Sequence, residues 1–116
     1  MSAAGGADKR VSGDYISIGP LHIDRRAGRV SVAGEERELT PTEYKLLLTL
    51  AERRDRVQSR SHLLERVWAA APDIQTRTVD MHVQRLRAKL GAAGSMIETV
   101  RGFGYRLTTG PAAPTG

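Results

Sequence analysis

Between residues 77 and 90 the chain carries arginine, glutamine, aspartate and methionine at spacings that acquire meaning if the segment is helical. Advancing about 100° per residue from Val79 places Val79, Val83, Leu86 and Leu90 on one stripe, within about 60° of each other. Opposite that stripe fall Arg77, Met81, Gln84, Arg85 and Ala88. Thr78, His82 and Lys89 occupy one flank, and Asp80 and Arg87 the other. The outward residue types have a defined chemistry toward base edges. A guanidinium forks onto guanine, a carboxamide onto adenine, a carboxylate accepts from the cytosine amino group, and apolar surface suits a thymine methyl. The competing reading is a solvated amphipathic helix, whose outer face is ordinarily charged.

The location of the charge favours the first reading. The chain of 116 residues has 18 basic and 13 acidic side chains, a net of +5. Fifteen of the basic residues are arginines, whose planar fork matches phosphate and guanine better than the point charge of lysine does. Residues 75–106 hold six basic and two acidic groups, a net of +4, whereas residues 1–74 are nearly balanced at +1. A solubilising face would mix the signs more evenly. A second feature follows the helix: Arg101-Gly102-Phe103-Gly104 lies between two short apolar-polar runs and reads as the tip of a β-hairpin. An arginine at the start of that turn suits a narrow, A·T-rich minor groove, where the negative potential is strongest.

The elements that must position these residues are legible on either side. Tyr15–Ile18, Leu21–Asp24, Arg29–Val32 and Glu36–Leu39 read as three or four short strands of an antiparallel meander, separated by Gly19-Pro20, Ala27-Gly28 and Ala33-Gly34. Thr40-Pro41-Thr42-Glu43 is a helix start, with Thr as N-cap, Pro at the first helical position and Glu three residues after the cap. Tyr44, Leu47, Leu48 and Ala51 then line one face, with Leu46 and Leu50 beside it. A second helix begins after Ser59 and carries Leu63, Leu64, Val67 and Trp68 on one stripe. The third helix runs from Thr76 or Arg77 to Leu90 and stops at Gly91, a usual C-terminal glycine position. Met96–Val100 and Tyr105–Thr108 form the closing hairpin. The expected organisation is a folded unit over 14–108, preceded by a linker over 1–13 and followed by a tail over 109–116 rich in Gly, Pro and Ala.

Four segments in this order, Thr40-Pro41-Thr42-Glu43-Tyr44-Lys45-Leu46-Leu47, Leu64-Glu65-Arg66-Val67-Trp68, Arg77 through Arg87, and Thr99-Val100-Arg101-Gly102-Phe103-Gly104-Tyr105-Arg106, closely resemble the C-terminal effector domain of OmpR/PhoB-type bacterial response regulators. The resemblance implies an α+β winged helix-turn-helix: a four-stranded N-terminal antiparallel sheet, three helices and a C-terminal hairpin wing. It implies that the third helix enters the major groove of duplex DNA and that Arg101 of the wing meets the minor groove. By motif position Asp80, Gln84 and Arg85 stand where bases are read. Trp68, Arg77, Thr78, His82, Arg87, Thr99 and Tyr105 stand where phosphates are held. The angular reading agrees for Gln84 and Arg85 and leaves Asp80 and Arg87 open to pairing with each other or with neighbours. Many members of the family carry a basic residue where this chain has Gln84. The loop over 69–75 matches one that in this family can touch RNA polymerase, although its alanines offer no charged handle. The resemblance further implies a phosphorylated receiver domain and a sensor kinase as partners, with residues 1–13 the end of an interdomain linker. The isolated domain is then a monomer, with two copies arranged head-to-tail on DNA.

Other classes fare worse. Cysteine is absent, which removes disulfides, thiolate catalysis and sulfur-based zinc sites. His22, His62 and His82 lie on separate elements, and no metal-binding, nucleophile-elbow or phosphate-loop motif is present, so neither an enzyme nor a cofactor or metal site is expected. RNA recognition by base stacking would need aromatics, and the third helix has none. A basic module docking an acidic protein such as RNA polymerase is the remaining alternative. No run of apolar residues is long enough to span a bilayer, and the first residues lack the basic and apolar regions of a secretory signal. The expected location is therefore the cytoplasm.

Overall fold

The computed structural model describes residues 14–69 and 75–108. The expected linker over 1–13, the tail over 109–116 and residues 70–74 of the loop read as a polymerase contact lie outside the described residues. Four antiparallel strands open the domain: β1 (Tyr15–Ile18), β2 (Leu21–Asp24), β3 (Arg29–Val32) and β4 (Glu35–Arg37), paired in that order. The fourth strand comes one residue earlier than its apolar end suggested and stops before Leu39. Cross-strand rows set the faces. Ile18 opposes Leu21, Leu21 opposes Val32, and Ile23 opposes Val30. All five side chains are buried, while Ser17, His22 and Ser31 point to the other face. Period-two alternation with this register admits only one buried face.

Helices α1 (Pro41–Glu52), α2 (Arg60–Trp68) and α3 (Thr76–Leu90) follow; α1 meets the sheet at β1, and α2 and α3 pack against α1 and each other. The start of α1 is a reciprocal capping box: Glu43 N donates to Thr40 Oγ1 at 3.1 Å, and Thr40 N donates to Glu43 Oε1 at 2.9 Å. Its buried stripe is Leu46, Leu47, Leu50 and Ala51, with Tyr44 and Leu48 packed at the margin. The face is thus rotated from the one centred on Tyr44 and Leu48, because α1 lies between the sheet and α3 and buries a wider arc. In α2, capped by Ser59 Oγ accepting from His62 N at 3.0 Å, only Leu63 and Val67 are fully buried. Leu64 and Trp68 are partly exposed at the margin of the core, Trp68 against His82 of α3. The α3 stripe of Val79, Val83, Leu86 and Leu90 is buried throughout, as the angular reading predicts.

Past Leu90 the chain does not leave the helix layer at once. Gly91 ends α3 with positive φ, and Gly91–Met96 forms a 3-10 turn that buries Ala93 and Met96. The hairpin follows as β5 (Ile97–Val100) and β6 (Gly104–Leu107). Its turn is closed by Phe103 N donating to Val100 O at 2.9 Å, with Gly102 at φ +81°. Gly104 serves a different purpose. A Cβ there would lie 2.0 Å from the Gln58 carbonyl oxygen, so the absent side chain is what lets the hairpin dock on the segment before α2. Paired backbone bonds, Gln58 N to Tyr105 O at 2.8 Å and Tyr105 N to Gln58 O at 3.0 Å, seal that contact.

Candidate nucleic-acid interface

The residues opposite the buried stripe of α3 are the exposed ones: Arg77, Met81, Gln84, Arg85 and Ala88. Met81 is 48% exposed, which puts apolar surface in the middle of this charged and polar face. Asp80, Met81, Gln84 and Arg85 together line an open depression of about 340 Å³ on this face. Arg77, Arg85 and Arg101 have no carboxylate within ion-pair distance among the described residues. Arg101, Gly102 and Phe103 stand exposed at the hairpin tip, Phe103 at 72%.

The other positive charges of residues 75–106 are already engaged. Arg106 is paired across the hairpin with Glu98, its Nε donating at 2.8 Å. Lys89 reaches back to the buried Glu43 carboxylate at 2.7 Å. Burial pushes the Glu43 carboxyl up, but the Lys89 ammonium and the Thr40 backbone bond outweigh it and hold the group below its usual range. Arg87 donates from Nε and Nη2 to Ile97 O at 3.0 and 2.8 Å, and from Nη2 to Thr99 Oγ1 at 2.7 Å. The same guanidinium sits 5.8 Å from the centre of the Tyr105 ring.

Asp80 and Arg87, which the sequence left free to pair with each other, instead both grip the hairpin. Asp80 Oδ1 accepts from the Tyr105 hydroxyl at 2.5 Å and from Arg60 Nε at 3.3 Å. Tyr105 is 6% exposed. Burial first, and then the hydrogen bond and charge of Asp80, push its phenol up to about 12, so it remains a donor at neutral pH. Thr99 is exposed, and its hydroxyl oxygen accepts from Arg87.

On the opposite flank His82 is held by two contacts. Its Nδ1 lies 2.9 Å from the Thr78 carbonyl oxygen, and its ring meets Trp68 edge-on at a centroid distance of 5.0 Å. A carbonyl oxygen only accepts, so Nδ1 carries the hydrogen and Nε2 is the nitrogen left for an outside partner. Trp68 and Thr78 are both partly exposed beside it. His22 is separate from all of this, on the sheet's outer face with Ser17 Oγ at 2.8 Å.

One participant was not singled out by its sequence position. Arg60 opens α2 and joins Asp80. Beside it Ser59, Ser61, Thr76, Gly102 and Phe103 complete a cleft of about 300 Å³ between the starts of α2 and α3 and the hairpin tip. The Ser59 cap signal gave the helix start, but nothing local could tell that this start abuts a turn some forty positions later in the chain.

Comparison with known proteins agrees with this architecture. The family described as "Transcriptional regulatory protein, C terminal" matches residues 34–107. The transcriptional regulatory protein CseB of Streptomyces coelicolor is 47% identical over 102 residues, covering 88% of this chain and 43% of that protein. The chain thus spans less than half the length of the curated relatives it matches. Among solved structures, the Klebsiella pneumoniae RstA DNA-binding domain in complex with RstA box superposes with TM-score 0.74 at 31% identity, over 83% of this chain and 98% of that one. DrrB of Thermotoga maritima, an OmpR/PhoB homologue, gives 0.75 at 29% identity over 90% of this chain and 49% of its own. No helix of the described residues is long and apolar enough to cross a membrane. With the four-stranded sheet, three helices and hairpin wing in the order that the sequence motifs require, the chain belongs to the C-terminal domain family of transcriptional regulatory proteins, as the winged-helix DNA-binding domain of an OmpR/PhoB-type response regulator.

Proposed function

We propose that this domain reads a specific duplex sequence, with α3 in the major groove and the wing in the adjacent minor groove. The observation that carries the reading is the open α3 face: Arg77, Met81, Gln84 and Arg85 are exposed, and both of its arginines lack an internal partner among the described residues. Gln84 and Arg85 project from the middle of that face and suit adenine and guanine, and Met81 suits a thymine methyl. Asp80 stands at the edge of the same depression, with one oxygen already committed to Tyr105 and Arg60. Arg101 enters the minor groove. Arg77, Thr78, His82 and Trp68 face the phosphates along one groove wall, and Arg87, Thr99 and Tyr105 line the wing side.

Support comes from relatives as well: the RstA domain was solved on RstA box, and the AdeR DNA-binding domain, 34% identical with TM-score 0.69, on an intercistronic region. In the intact regulator the domain would answer to a receiver domain and its sensor kinase in the cytoplasm. It would act as a monomer in isolation and as a head-to-tail pair on DNA, with the loop over 69–75 available to RNA polymerase. An electrophoretic shift of the chain on promoter fragments, with specific and random competitors at two salt concentrations, tests base reading. Preferential competition by the specific duplex is expected at both salts. Equal competition would overturn base reading and favour a basic surface docking an acidic protein.

A further inference from the structure

We propose that Asp80 and Tyr105 act as positioning residues: a latch that fixes the angle of the wing to α3. The latch thereby sets which flanking base pairs Arg101 meets relative to those under Gln84 and Arg85. The proposal rests on the DNA-binding reading above and assigns these two residues a task other than direct contact.

The chemistry of the two groups argues for it. A phenol has a single hydrogen to donate, and that of Tyr105 is given to Asp80 Oδ1. A phosphate oxygen is an acceptor, so this hydroxyl has nothing left to offer one without abandoning Asp80. Asp80 Oδ1 in turn receives two donors, the phenol and the Arg60 guanidinium, so the orientation of the carboxylate is set by the hairpin and the start of α2, and only Oδ2 is left to face outward. Its carboxylate therefore ties together three elements that are distant in sequence: α3 itself, the start of α2 through Arg60, and β6 through Tyr105.

The geometry around Tyr105 shows what such a tie would hold. Its backbone is bonded on both sides to Gln58, its ring lies beneath Arg87, and its hydroxyl is on Asp80. Arg87 also holds β5 at Ile97 and Thr99. Thr99 is the cross-strand partner of Tyr105, and the next pair, Val100 with Gly104, brackets the turn that carries Arg101. A small rotation of β6 about the Gln58 bridge would thus swing the wing tip directly. Asp80 resists that rotation from the recognition helix, so the two reading heads keep a fixed separation.

The test is selection from a duplex library with a randomised central segment, using the whole chain as wild type, Arg101→Ala, Tyr105→Phe, Asp80→Ala and the Asp80→Ala/Arg101→Ala double variant. Wild type is expected to enrich a core sequence with an A·T-rich flank at one spacing, and Arg101→Ala to lose the flank preference. Tyr105→Phe and Asp80→Ala should each keep the core and lose flank preference to the extent that Arg101→Ala does, and the double variant should lose no more. Relaxation of a single core base pair in Asp80→Ala would overturn the latch in favour of base reading. Uniform weakening by Tyr105→Phe on every sequence would overturn it in favour of a phosphate contact. An unchanged core and flank in both variants removes the latch alone. Failure of the wild type to enrich any sequence removes the DNA reading and the latch with it. Amide exchange gives a check independent of DNA: in Tyr105→Phe, whose ring still fills the site, amides of residues 97–107 should exchange several-fold faster while those of α1 do not change. Equal protection across the wing would overturn the proposal.

Discussion

Arg85 and Arg101 carry the same charge but differ in what surrounds them, and their losses should differ in kind. Arg85 projects from the centre of an open helix face beside Gln84. Arg85→Ala is expected to cost about 1–3 kcal/mol of binding and to relax preference at one position of the site. Arg101 stands on a turn tip, and Arg101→Ala should matter most on A·T-rich flanks, where the groove is narrow. Anisotropy titrations on duplexes that differ only in core or flank distinguish the two. Tyr105 offers a titration that needs no ligand. Its folded value is raised to about 12 from the ordinary 10.0. A raised value means that the folded state holds the proton more tightly, so the stabilisation is complete below about pH 10 and lost as pH rises through about 12. Ultraviolet titration of the chain and of Tyr105→Phe should show the last tyrosine step disappear with the substitution.

Beyond the shared hydrophobic core, a few specific contacts fix how elements meet, and two of these are open to measurement. The wing docks because Gly104 lets its backbone approach Gln58. Gly104→Ala is expected to destabilise by at least about 1–3 kcal/mol, since the obstacle is backbone and cannot swing aside. A lowered urea midpoint, together with faster proteolysis at the wing, would register it. At the other end of α3, Lys89 bonds the buried Glu43 of the α1 capping box. Glu43 is held below its usual range in the folded state. Its contribution is therefore present above the ordinary glutamate value of about 4.3 and is lost as pH falls through the lower folded value. Thermal melts of wild type and Glu43→Gln should differ near neutrality and converge on acidification.

At the scale of the whole molecule the excess charge is directional. Arg106, Lys89 and Arg87 spend their charge inside the protein, leaving Arg77, Arg85 and Arg101 on the side that presents α3 and the wing. Arg77→Ala should weaken binding nearly uniformly across sequences and reduce the slope of log affinity against log salt by about 1. A change confined to one base pair would instead make Arg77 a reader.

Periodicity and punctuation in the chain specified the three helices, the meander and the hairpin, from the Thr40-Pro41-Thr42-Glu43 cap to the turn at Gly102, and which side of α3 faces out. These are local properties: 3.6-residue and two-residue repeats, caps and positive-φ glycines act within a turn or two of themselves. The same reach explains the small errors. The buried arc of α1 depended on what covered it, and the 3-10 turn after Gly91 depended on a core that had room for Ala93 and Met96. The destinations of the flank residues were decided only by tertiary structure. Asp80 meets Tyr105 across 25 positions of sequence and Lys89 meets Glu43 across 46. No periodicity connects such pairs, because a polar side chain at the margin of a buried stripe takes whichever donor or acceptor the fold brings within about 3 Å of it.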